Sequence, residues 1–221
     1  MAPLLEQRLT PYLRPFSYVG LDYLGPYHVT IGRRTEKRWV ALFTCLVTRA
    51  IHLETAHGLT TQSCLMAIHR FIGRRGWPSE IFSDNGTNLR GASKEIANTV
   101  REIGADCADE MTNARTRWTF NPPAAPHMGG VWERLVRSVK EVLAVMDDGK
   151  QLTDEILQTA LVEAEDIINS RPLIYNSQQS EDAEALTPNH FLRGVSPNQP
   201  NEILPAPPLD VALRDAFQRS Q

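Results

Sequence analysis

Nine consecutive residues, Trp39 to Val47, carry one hydroxyl and no charge. The run is far short of the ~20 apolar residues that cross a bilayer. It has no polar alternation either, so it reads as a strand covered on both faces. A chain with such a strand must supply a sheet to hold it and a layer on each side. Further β-like segments surround it. Phe16 to Tyr23 is aromatic and β-branched, Gly25-Pro26 breaks it, and Tyr27 to Ile31 follows; Ile51 to Thr55 is another short strand. Short links between them suit an antiparallel meander.

The period then changes. Thr60 or Thr61 caps a helix running to about Arg75, with Leu65, Ile68, Phe71 and Ile72 at helical spacing and Gly76 and Pro78 as its stop. Glu80 to Ser83 is a strand, residues 87 to about 103 are weakly helical, and Trp118 to Asn121 is a last short strand. The stretch from Asn121 to Gly130, with prolines at 122, 123 and 126, reads as an irregular loop. Two long helices follow. Trp132, Leu135, Val136, Val139, Val142, Leu143 and Met146 form the apolar stripe of one. Ile156, Leu157, Ala160, Leu161, Ala164, Ile167 and Ile168 form that of the other, between Thr153 as cap and Arg171-Pro172 as stop. The order predicts an α/β fold with one core over 15–175, after an N-terminal extension at 1–14. From 176 to 221 periodicity fades into a linker with five prolines between Ser196 and Pro208, ending on the start of a truncated C-terminal region.

A net charge of −3 hides an asymmetry. Residues 1–140 hold 18 Lys/Arg against 12 Asp/Glu, and residues 141–221 hold 5 against 14. The basic half clusters its cations at Arg33-Arg34, Lys37-Arg38, His69-Arg70, Arg74-Arg75, and Arg134, Arg137 and Lys140. Such groups suit phosphates, or simply a solvated surface. Three cysteines without a CxxC pair indicate neither a disulfide framework nor a zinc site, so a reducing, intracellular setting is expected. No targeting or membrane signal is evident.

Three acids stand where acids are awkward. Asp22 lies inside an apolar strand, Asp84 ends the strand Ile81-Phe82-Ser83, and Glu133 opens a helix after Trp132. A carboxylate near a core costs several kcal/mol unless it is paired, protonated or on a metal. Singly, each has a structural explanation: an outward edge position, an Asx turn, or the positive end of a helix.

Their surroundings carry more. Gly20-Leu-Asp-Tyr-Leu-Gly-Pro26, Ser83-Asp-Asn-Gly-Thr-Asn88 and Asn121-Pro-Pro-Ala-Ala-Pro-His-Met-Gly-Gly-Val-Trp-Glu133 resemble the three acidic motifs of retroviral-type integrase cores. Gly32-Arg-Arg-Thr-Glu-Lys-Arg-Trp39, Leu42-Phe-Thr-Cys45, Arg49-Ala-Ile-His52 and Leu186-Thr-Pro-Asn-His-Phe-Leu192 are most similar to integrases of Pao/BEL-type long-terminal-repeat retrotransposons. The resemblance runs from about Leu9 to Gly194. It implies a ribonuclease H-like fold, a mixed five-stranded sheet flanked by helices. It also implies that Asp22, Asp84 and Glu133 are catalytic and hold two Mg²⁺ (or Mn²⁺) ions, for DNA 3′-end processing and strand transfer. One departure is the spacing: forty-eight residues separate Asp84 from Glu133, more than retroviral cores typically have, which reads as an enlarged segment before Trp118.

On an ideal helix Arg137 and Lys140 fall about 40° and 20° from Glu133, clear of the apolar stripe. By resemblance they contact the element's DNA end, while Thr87 and Asn88 touch target DNA. His127 is a further candidate contact, and Gly129-Gly130 would be a hinge before the helix. The resemblance implies retroelement ends and target DNA as partners, a homo-oligomer, no membrane, and action in the nucleus. No His/His/Cys/Cys set precedes the core, so a zinc-binding module is not expected within these residues. Two alternatives stay open: a catalytically inactive or domesticated scaffold that binds DNA or protein, and a ribonuclease H acting on hybrids.

Overall fold

The computed structural model describes residues 13–83, 102, 105–109, 116–120, 126–146, 151–173 and 185–193, with backbone alone for 126–133. Five strands form one sheet: β1 (Tyr18–Ile31), β2 (Arg34–Cys45), β3 (Ile51–Ala56), β4 (Glu80–Ser83) and β5 (Arg117–Phe120), in the order β3-β2-β1-β4-β5. β1, β2 and β3 pair antiparallel as the expected meander, whereas β4 joins β1 and β5 joins β4 in parallel. The helices are α1 (Thr61–Arg75), α2 (Pro126–Met146), α3 (Asp154–Asn169) and the short α4 (Pro188–Arg193).

The apolar run ends at Cys45 as a strand and is covered on both sides. Trp39, Ala41, Phe43 and Cys45 join one core with Leu65, Ile68 and Phe71 of α1. Val40 and Leu42 join a second core with Leu135 and Val139 of α2 and Leu157, Leu161, Ala164 and Ile168 of α3. Phe43 and Phe71 stack with ring centres 4.3 Å apart.

The break expected at Gly25-Pro26 does not split the strand. β1 is continuous, with an irregularity there: Leu24 faces Val40, Tyr27 faces Arg38, and two residues of β1 stand against Trp39 alone. Gly25 has φ +121°, and a Cβ on it would lie 3.1 Å from the Arg38 carbonyl, so only glycine fits without strain. The extra residue inverts the alternation. Before it, odd positions (Val19, Leu21, Tyr23) face α1; after it, Val29 faces α2 and α3. β1 and β2 then run out as a hairpin closed by a two-residue turn, with Gly32 at φ +60° in its first position.

α1 starts as expected, with Thr60 as cap accepting the Ser63 N–H at 3.2 Å, and stops at Gly76 (φ +84°). Thr153 caps α3 by accepting from the Ile156 N–H at 3.2 Å. Two expectations need correction. α2 begins at Pro126, inside the segment expected to be irregular. Proline is at home in a first helical position, where its missing N–H has no partner to lose. Gly129 and Gly130 therefore sit in the helix and are not a hinge ahead of it. On α3, Ile156 and Ile167 are about half exposed; the buried seam is the narrower set 157, 161, 164, 168.

The outer edge of β3 is sealed by side chains of α3. Asn169 accepts from the Ile51 N–H (2.8 Å) and donates to the Ile51 carbonyl (2.9 Å), and Glu165 accepts from the Leu53 N–H (3.0 Å). These groups stand where a sixth strand would bond.

Candidate active site

Asp22 occupies the upstream half of β1, opposite Leu42, and is half-buried. Alternation puts its Cβ on the face of Leu24 and Leu42, the face covered by α2 and α3. Its Oδ1 accepts the N–H of Tyr23 at 2.7 Å. Leu21, one residue before Asp22, lies opposite Ser83, the last residue of β4. Asp84 is the next residue of the chain; it lies outside the described residues, as do Thr87 and Asn88.

Glu133 and His127 belong to α2, and their side chains are outside the described set. Two residues beyond Glu133, Leu135 enters the core that holds Leu24 and Leu42. The fold thus packs the helix of Glu133 on the face of β1 that carries Asp22, with β4 as the strand beside it. Among the described residues no group of three His, Cys, Asp or Glu is placed to hold a metal ion.

Arg137 and Lys140 are exposed on α2, as their helical angles predict. Lys140 lines a cavity of about 620 Å³ between α2, α3 and the irregular part of β1, together with Gly25, Tyr27, His28 and Leu143. Burial there pushes the Tyr27 hydroxyl up to about 12.

Several of the other clustered cations are held in ion pairs. Arg70 and Arg74 both pair with Glu54, Arg70 at 2.7 Å, and Arg75 pairs with Glu165. Between these acids lies His52, buried, with Nε2 3.0 Å from Glu54 and Nδ1 3.0 Å from Glu165. Burial opposes a charged ring, but the hydrogen bonds to Glu165 and Glu54 outweigh it, so the His52 pKa is raised. Burial likewise pushes both carboxyls up, and His52 with its neighbouring arginines more than reverses this, leaving both lowered. Arg38 is buried and bonds Asp154 (2.7 Å) and Glu36 (2.9 Å). These arginines are engaged by carboxylates of the fold. The signal for His52 and Glu54 was their two-residue spacing on a strand, which shares a face; Glu165 is too distant in sequence to be read.

No family model matches the chain, and no curated protein does. Among solved structures, it is similar to a chain of the simian T-cell lymphotropic virus intasome in complex with PP2A regulatory subunit B56 gamma. There the TM-score is 0.52 at 19% identity, over 89% of this chain and 60% of that one. This chain therefore spans 60% of the length of that relative. The HTLV-2 integrase catalytic core domain in complex with magnesium (trimeric form) gives 0.47 at 17% identity, over 75% of this chain and 93% of that one. Together with the strand order, the first likeness shows a ribonuclease H-like fold, a mixed five-stranded sheet flanked by helices.

Proposed function

We propose that the chain is an integrase-type catalytic domain that trims DNA 3′ ends and joins them to target DNA, with Asp22, Asp84 and Glu133 as its acids. The observation that carries this is the position of Asp22, one residue past the pairing of Leu21 with Ser83 and on the face packed by the helix of Glu133. One peptide step, ~3.8 Å between Cα atoms, separates Ser83 from Asp84. Neighbouring strands lie ~4.8 Å apart, so the backbone of Asp22 lies close to the end of β4.

Three carboxylates are a hard-oxygen donor set, which suits Mg²⁺ or Mn²⁺ and leaves room for water and phosphate oxygens. Two such ions, when bound, supply positive charge to the attacking and leaving oxygens of an in-line displacement. The chain's own part is to hold the acids on rigid elements and to fix the DNA. Arg137 and Lys140, exposed beyond Glu133 on α2, bind phosphates of the element's end; Thr87 and Asn88 face target DNA, and His127 is a further contact. In the joining step a 3′-hydroxyl oxygen forms a bond to a target phosphorus, and the bond from that phosphorus to its own 3′-oxygen breaks. The DNA is that of a long-terminal-repeat element, and the active form is a homo-oligomer.

Strand transfer on a pre-branched DNA substrate, in Mg²⁺ and in Mn²⁺, compares the chain with Glu133→Gln. Metal-dependent joining that vanishes in the variant supports the assignment. Equal joining by both removes Glu133 from the site. No joining by either, with folded protein that still binds DNA, favours the non-catalytic scaffold.

A further inference from the structure

We infer that the β1–β2 hairpin is a second contact surface for the phosphates of duplex DNA, formed by Arg33, Arg34 and Lys37 at its tip.

Three observations converge on it. The first is electrostatic. Arg38, Arg70, Arg74, Arg75 and Arg193 are each held by a carboxylate. Arg33, Arg34 and Lys37 are exposed and have no ion pair among the described residues. The only acid of the hairpin, Glu36, is engaged by Arg38 at 2.9 Å. The fold therefore neutralises its structural arginines and leaves a concentrated positive charge at the hairpin tip.

The second is rigidity. The Thr30 N–H donates to the Leu152 carbonyl at 2.8 Å, and the Arg38–Asp154 pair ties β2 to α3. With the tight turn at Gly32, these bonds fix the cations in place, so binding a polyanion orders little further backbone. An exposed charge run that is merely solvated needs no such anchoring.

The third is placement. His28 and Lys37 stand opposite each other on the side of the ribbon away from α2 and α3, while Arg34, three residues before Lys37, stands on the other side and Arg33 lies in the turn. The tip thus offers cations to both sides, which suits the two backbones flanking a duplex groove better than a single small anion.

This surface rests on the reading of the chain as a DNA-acting protein, but its test needs no chemistry. Binding of the full chain to a fluorescent blunt duplex is measured by anisotropy across a salt series, for wild type and for Arg33→Gln/Arg34→Gln/Lys37→Gln. The slope of log K against log salt should become shallower by ~0.9 for each lost contact, up to ~2.7 for the triple variant. Arg33→Gln alone should give about a third of that, and the thermal midpoint should not move. An unchanged slope in the triple variant overturns the proposal. So does a variant that keeps full duplex affinity but loses binding to polyglutamate, which would assign the hairpin to an acidic protein. Joining that fails in wild type while salt-steep, hairpin-dependent binding persists would sink the catalytic reading alone.

Discussion

His52 shows how one side chain sets a pH window for the fold. Its pKa is raised in the folded state, so its stabilisation is complete below its ordinary 6.5 and is lost as pH rises through the folded value. Glu54 and Glu165 are lowered, so theirs is present above their ordinary 4.5 and lost as pH falls through their folded values. The cluster is at full strength between about 4.5 and 6.5. Urea midpoints taken from pH 5 to 8.5 should decline on the alkaline side in wild type, and His52→Gln should flatten that decline. A parallel decline in both would remove His52 as its source. Asp22 is a different case. It is half-buried, so Asp22→Asn should leave the circular-dichroism melt nearly unchanged while, on the proposed reading of Asp22 as one of three metal-holding carboxylates, abolishing most of the joining. The acid was legible because a charge inside an apolar strand demands a reason; the cluster was not, because its members lie on three separate elements.

At the scale of elements, caps and apolar seams carried the sequence reading. Thr60 and Thr153 were readable because a hydroxyl before a helical stripe can accept the early N–H groups. Thr153→Ala should cost about 1 kcal/mol in urea unfolding, with no change in the slope. The start of α2 was misread because prolines suggest a loop, although Pro126 fits the first turn. The α3 stripe was drawn too wide because composition cannot say how closely a helix lies on its sheet. The sealed β3 edge was invisible in the sequence, since Asn169 looks like any polar residue at a helix end. Asn169→Ala leaves the N–H and carbonyl of buried Ile51 without these bonds, and should cost about 2 kcal/mol. It should also raise light scattering on mild heating, as the uncovered edge pairs with other chains. Stability lost without any rise in scattering would mean that Asn169 holds the strand but does not guard it.

Over the whole molecule, the sheet and its two cores followed from alternation, from the doubly covered run at 39–47 and from the helical stripes. What alternation could not foresee was its own inversion. Asp154→Asn should loosen the anchored hairpin rather than the core. Amides of Thr30 to Lys37 should exchange hydrogen several-fold faster, while those of β3 stay protected. Exchange that speeds up equally in both places would show that the tie is global. The two residues set against Trp39 have a consequence for how a gene encoding this chain can change length. Losing one codon between Leu24 and Tyr27 would straighten β1, turning Val29 outward and His28 toward the core beneath α3, while Asp22 stayed where it is. Losing one codon upstream, between Val19 and Asp22, would shift the acid itself. Length variation in this strand is therefore filtered by position: the same small deletion displaces Asp22 on one side of the bulge and ruins only the hairpin on the other.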